Sequence, residues 1–129
     1  MNPFASLGLG SEIVSALTEQ GYETPTPIQA AAVPKALAGH DLLAAAQTGT
    51  GKTAAFMLPS LERLKRYATP STSPAMHPVR MLVLTPTREL ADQIDQNVQA
   101  YIKNLPLRHA VLFGGVNMDA KTPGLHRTR

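Results

Sequence analysis

Apolar residues recur along the first half of the chain at helical spacing. Ile13, Val14 and Leu17 follow Ser11, and Gly21 stands beyond them as a terminator, which predicts a first helix. Thr24-Pro25-Thr26-Pro27 is incompatible with helix interior. Thr26 as N-cap and Pro27 at the first helical position instead predict a second helix through about Leu37, ended by Gly39-His40. Asp41 to Ala45 reads as a short buried strand, residues 46–53 as a glycine-bearing loop, and Ala54 to Tyr67 as helical again. Residues 68–79 hold three prolines, two serines and two threonines and are expected to form a flexible surface loop. Met81 to Leu84 predicts a second strand. Thr87 then opens a helix in which Leu90, Ile94, Val98, Tyr101 and Ile102 form one core-facing stripe, with Asp92, Asp95 and Gln99 opposite. His109 to Phe113 predicts a third strand, closed by Gly114-Gly115. Strands alternating with helices at these lengths predict an α/β fold with a parallel sheet.

Composition narrows this picture. At 129 residues the chain accommodates one modest domain, and with 43% hydrophobic but only 5% aromatic residues its core must be aliphatic. The absence of cysteine excludes disulfides and Cys-ligated metal and suits a reducing, cytoplasmic setting. No basic stretch precedes an apolar run at the start, and the aliphatic run Leu42 to Ala46 is too short for a bilayer, so no membrane partner is expected. The net charge of +3 barely argues for an anionic partner, although five basic residues and one acid follow from Lys103 onward. His40, His77, His109 and His126 lack metal-ligand spacing and read as loop or surface residues. Glu62-Arg63 and Lys65-Arg66 read as a solvated helix face.

The chemistry concentrates in Ala46-Gln47-Thr48-Gly49-Thr50-Gly51-Lys52-Thr53, a P-loop pattern with Ala in place of the first Gly. Small residues let successive backbone N–H groups curl around phosphate oxygens, and the following helix offers its positive N-terminal end. Lys52 can reach the β- and γ-phosphates, and the Thr53 hydroxyl is placed to ligate Mg2+. The plain alternative is a glycine-rich connection with a solvated lysine. The predicted strand before it and helix after it favour nucleotide binding.

Three further segments carry a family resemblance. Gly21-Tyr22-Glu23-Thr24-Pro25-Thr26-Pro27-Ile28-Gln29, with Phe4 seventeen residues upstream of Gly21, resembles the Q motif of DEAD-box RNA helicases. Pro86-Thr87-Arg88-Glu89-Leu90 looks like their motif Ia, and Gly114-Gly115 like their glycine doublet. With residues 46–53 as motif I, the signatures stand in the family's order. The opening residues and Val116-Asn117-Met118 look most like the bacterial RhlE-type branch. The resemblance implies the N-terminal part of a RecA-like P-loop domain across residues 1–129, with ATP, Mg2+ and RNA as ligands. It implies that Gln29 reads the adenine edge, that Phe4 packs near the adenine, and that Tyr22 supports this pocket. Pro86, Thr87, Arg88, Gly114 and Gly115 would contact the RNA backbone without reading sequence. Taken alone, Gln29 would be a polar residue on an exposed helix face and Phe4 a core anchor.

The resemblance is incomplete. The sequence holds no Asp-Glu-Ala-Asp to anchor Mg2+ and position water, and no Ser-Ala-Thr. Thr122-Pro123-Gly124 lies too close to Gly115 and is followed by Leu125 rather than Arg, so it does not match the family's motif Ib. The family's sheet takes the neighbours of the P-loop strand from downstream sequence, so the strands here are expected to present unpaired edges and apolar faces. The chain is therefore expected to be catalytically incomplete alone. A non-catalytic nucleotide- or RNA-binding module and a non-functional truncated product remain as alternatives, with a P-loop kinase or GTPase disfavoured by Gln29 and motif Ia.

Overall fold

The computed structural model describes residues 2–45, 51–69 and 78–112. Within them, a 3-10 turn at Pro3–Leu7 precedes α1 (Ser11–Glu19), α2 (Pro27–Leu37), α3 (Lys52–Leu64, extended by a 3-10 turn at Lys65–Tyr67) and α4 (Arg88–Tyr101). No helix among the described residues is long and apolar enough to cross a membrane.

Local chemistry sets the helix ends. The Thr26 hydroxyl accepts from the Gln29 N–H at 3.4 Å while the Gln29 side-chain oxygen accepts from the Thr26 N–H at 3.0 Å, a reciprocal capping box that starts α2 at Pro27. Thr87 caps α4 in the same sense, its hydroxyl accepting from the Leu90 N–H at 3.1 Å. Gly21 and Gly39 follow α1 and α2 in the left-handed region that lets the chain turn away.

The helices meet in one apolar core. Phe4, Ile13, Leu17, Val33, Met57, Leu58 and Tyr101 are fully enclosed, with α2 packed most extensively on α3. Burial of each such aliphatic side chain contributes about 1.5–3 kcal/mol. The stripe predicted on α4 faces this core: Ile94, Val98, Tyr101 and Ile102 are buried and Leu90 packs at its margin. Asn2 fastens the N-terminus by donating to the Tyr22 carbonyl at 2.9 Å and accepting from the Phe4 N–H at 2.8 Å.

The predicted strands behave differently. Residues 41–45, 81–84 and 109–112 form no hydrogen-bonded ladder among the described residues. A helix closes its hydrogen bonds within its own segment, whereas a strand needs a neighbour, and no described segment supplies one. Residues 81–84 nevertheless keep the period of a strand: Met81 and Val83 turn toward the core, while Leu82 and Leu84 are 76% and 83% exposed. Leu43 is wholly exposed. A cavity of about 580 Å³ lies between the segments 78–85 and 107–112 and the inner faces of α3 and α4, walled by Met57, Leu61, Ile94, Val98, Met81 and Leu107.

Two side-chain readings need correction. His109 is not a surface residue: its side chain is 10% exposed and its Nδ1 lies 2.5 Å from the Asp95 carboxylate, which is drawn in from the polar face of α4. Nor are Glu62 and Lys65 simply solvated. Glu62 accepts from the Gly10 N–H at 2.7 Å and pairs with Lys65 at 2.7 Å, and Lys65 also reaches Glu12, joining the end of α3 to the start of α1.

Candidate nucleotide and nucleic-acid site

The described part of the phosphate loop is Gly51, Lys52 and Thr53; Ala46, Gln47, Thr48, Gly49 and Thr50 lie outside the described residues. Gly51 sits at φ +86°, a left-handed conformation that costs other residues about 1–2 kcal/mol. A Cβ there would also displace the Gln29 side-chain amide. Lys52 and Thr53 then begin α3, with Lys52 exposed and Thr53 half-buried. A helix start carries N–H groups without intrahelical partners and a partial positive charge, which with a lysine at the first position fits a phosphate.

Gln29 joins this loop to the turn before α2. Its side chain is 3% exposed, and the amide Nε2 donates to the Gly51 carbonyl at 3.2 Å while the oxygen serves the capping box. Both ends of the amide are thus committed within the protein. The sequence marks Thr26 as the N-cap, and the Thr-x-x-Gln pattern also carries the signature of the reciprocal bond from Gln29. The Gly51 contact, 22 residues away, carried no local signal.

Three aromatic rings stand behind the turn. Phe4 and Tyr22 lie 6.0 Å apart, and Tyr22 meets Tyr101 edge-on at 6.1 Å with their hydroxyls hydrogen-bonded at 2.9 Å. Phe4 is fully buried and packs on the Tyr22 ring. Burial first, and the Tyr22 bond second, push the Tyr101 phenol above its ordinary range. The pair ties the turn before α2 to the far end of α4.

At the near end of α4, Pro86, Thr87 and Arg88 are exposed. The Thr87 hydroxyl oxygen already caps the helix and its carbonyl accepts from the Thr85 hydroxyl at 3.0 Å, so the segment is held in a fixed turn. Gly114 and Gly115 lie outside the described residues. No cluster of three or more His, Cys, Asp or Glu side chains among the described residues is arranged to hold a metal ion.

A family model described as DEAD/DEAH box helicase matches residues 26–128. The ATP-dependent RNA helicase SrmB of Escherichia coli (strain K12) is 44% identical over 113 residues, covering 88% of this chain and 24% of that protein. The ATP-dependent RNA helicase DeaD of the same organism is 42% identical over 125 residues, covering 96% of this chain and 19% of that protein. A crystal structure of a DEAD box protein from Methanococcus jannaschii matches with a TM-score of 0.82 at 31% identity, over 95% of this chain and 32% of the other. The RNA-helicase Prp28 from Chaetomium thermophilum, bound to ADP, matches with a TM-score of 0.75 at 35% identity, over 93% of this chain and 28% of the other. The chain thus spans about a quarter or less of the curated relatives' length. Its architecture is that of part of an α/β RecA-like P-loop domain. On the extent of the profile match and these likenesses together, the chain belongs to the DEAD/DEAH box helicase family.

Proposed function

We propose that the chain carries the ATP-binding elements and the first RNA-contacting turn of a DEAD-box ATP-dependent RNA helicase, of the RhlE-type branch, and that by itself it binds nucleotide without useful turnover. The observation that carries this reading is the Gln29 amide joined to the Gly51 carbonyl, because it couples a purine-reading side chain to the phosphate loop. Residues 46–53 would enclose the phosphates, with Lys52 and the N–H groups at the start of α3 countering their charge. Gln29 would present donor and acceptor to the adenine edge, with Tyr22 holding the turn and Phe4 backing Tyr22. Mg2+, when bound, neutralises phosphate charge; Thr53 would hold it together with phosphate oxygens and water. Arg88, Thr87 and the 114–115 glycines would take RNA phosphates.

The lack of turnover follows from the chemistry. Phosphoryl transfer depends on positioning and charge stabilisation, and this sequence has no Asp-Glu-Ala-Asp to supply the acids that hold metal and water. Titration with fluorescent ATP and GTP analogues tests the proposal: ATP binds in preference to GTP, Lys52→Ala loses affinity and Gln29→Ala loses base preference. Equal binding of GTP by the unaltered chain overturns the role of Gln29. RNA-stimulated phosphate release that Lys52→Ala abolishes overturns the expectation of no turnover.

A further inference from the structure

At the end of α3 remote from Lys52, two arginines converge on one tyrosine. The Arg66 and Arg80 guanidinium carbons lie 4.8 Å and 4.0 Å from the centroid of the Tyr67 ring, and Arg66 Nη2 donates to the Tyr67 hydroxyl at 2.7 Å. The tyrosine is 38% exposed, and both arginines and Arg63, one turn earlier on α3, face solvent. Arg80 comes from the segment that enters 81–84, so the cluster is tertiary and not a run of neighbouring basic residues. Among the described residues neither Arg66 nor Arg80 has a carboxylate partner, and the nearby Glu62 is taken by Lys65 and the Gly10 N–H. Both guanidinium groups lie within 5 Å of the same ring, whose face offsets only part of the cost of holding two like charges near one another. An anion bound at either guanidinium lowers what remains.

We propose that Arg66, Tyr67 and Arg80 form a second contact for single-stranded RNA. The 13 residues of α3 place it about 20 Å from the phosphate loop. Guanidinium groups docked on a ring are pre-oriented for bidentate contact with phosphate, and their planes offer a surface on which an unpaired base stacks. An acidic peptide matches the charge and the planar fork but brings no base to stack on the exposed guanidinium faces. The inference rests on the reading above only in taking RNA as the ligand; its residues are separate from Arg88.

The experiment is fluorescence anisotropy of a labelled single-stranded oligouridylate with the full 129-residue chain across a salt series. The Arg66→Gln, Arg80→Gln double variant is expected to bind several-fold more weakly, with the slope of log K against log salt shallower by about 1.4, the value for two lost phosphate contacts on a single strand. Tyr67→Ala keeps both charges but releases them, so it weakens binding with little change in slope. A double variant that matches the unaltered chain in affinity and slope, while Arg88→Gln binds weakly, overturns this proposal and leaves the Arg88 reading standing. Loss in the double variant with Arg88→Gln unaffected does the reverse. Competition by polyglutamate as effective, per charge, as that of RNA overturns the assignment to RNA and gives the patch to an acidic protein. Absence of salt-dependent RNA binding by the unaltered chain overturns both.

Discussion

The helical layer and the segments 41–45, 81–84 and 107–112 share a composition rich in Leu, Val and Ala, yet they reach opposite ends of the burial scale. Leu58 on α3 is fully enclosed; Leu82 and Leu84 are 76% and 83% exposed. Affinity for water does not separate them, since all three are leucines. Hydrogen-bond closure does. A helix satisfies its backbone within itself and is then free to bury one face, whereas an extended segment must find a neighbour before burial of its second face becomes favourable.

The contrast can be broken most severely at Leu58. Leu58→Ala is expected to lower unfolding free energy by about 2–5 kcal/mol in urea titrations. A loss below about 1 kcal/mol would mean that the helical layer is not the cooperative unit.

Next in size is Thr26→Ala, which removes one half of the capping box and is expected to cost about 1 kcal/mol and to fray α2, read by amide exchange at residues 28–30. Of similar size at neutral pH is Tyr101→Phe, which leaves the half-buried Tyr22 hydroxyl without its partner. Its alkaline signature is more specific. The phenol of Tyr101 is raised above its ordinary value of 10.0, so its contribution is complete below pH 10 and is lost as pH rises beyond it. Lys65, raised above 10.5 mainly by its bond to Glu62, adds loss in the same direction. The urea midpoint of the unaltered chain should therefore fall between pH 10 and 11, and Tyr101→Phe should flatten that fall. Glu12 is lowered from 4.5, by its own backbone N–H first and Lys65 second, so its contribution disappears only as pH falls below 4.5.

The smallest effect on stability is expected at the exposed pair. Leu82→Ser with Leu84→Ser should shift unfolding free energy by no more than about 0.5 kcal/mol, while reducing self-association in sedimentation velocity. A large loss would place these leucines in an undescribed core.

What could be read from the sequence follows the same division. The start of α2 was legible to the residue and its end approximately, because Thr26, Pro27 and Gly39 act locally. The stripe on α4 was legible because 3.6-residue periodicity is local too. The Tyr22–Tyr101 bond joins positions 79 apart, and the His109–Asp95 pair joins a predicted strand to the polar side of a helix. Neither has a short-range signature, so His109 read as surface. The strands were legible as side-chain alternation but not as paired backbone, since pairing belongs to two segments at once. At the candidate site, the residue types of 51–53 and Gln29 were legible, whereas the contact between them was not.

The Gln29 amide is held from two sides without being used up: one N–H goes to the Gly51 carbonyl and the oxygen accepts from the Thr26 N–H, which leaves a second N–H and a second lone pair. On the reading proposed above, an adenine edge would meet an amide whose orientation is already fixed, so little rotamer freedom would be lost on binding. A wrong base, presenting donor where acceptor is needed, would leave a buried amide group unpaired, at about 1–3 kcal/mol. Discrimination on these terms would come from the fixed orientation of one side chain, set by the bonds that start α2 and hold Gly51.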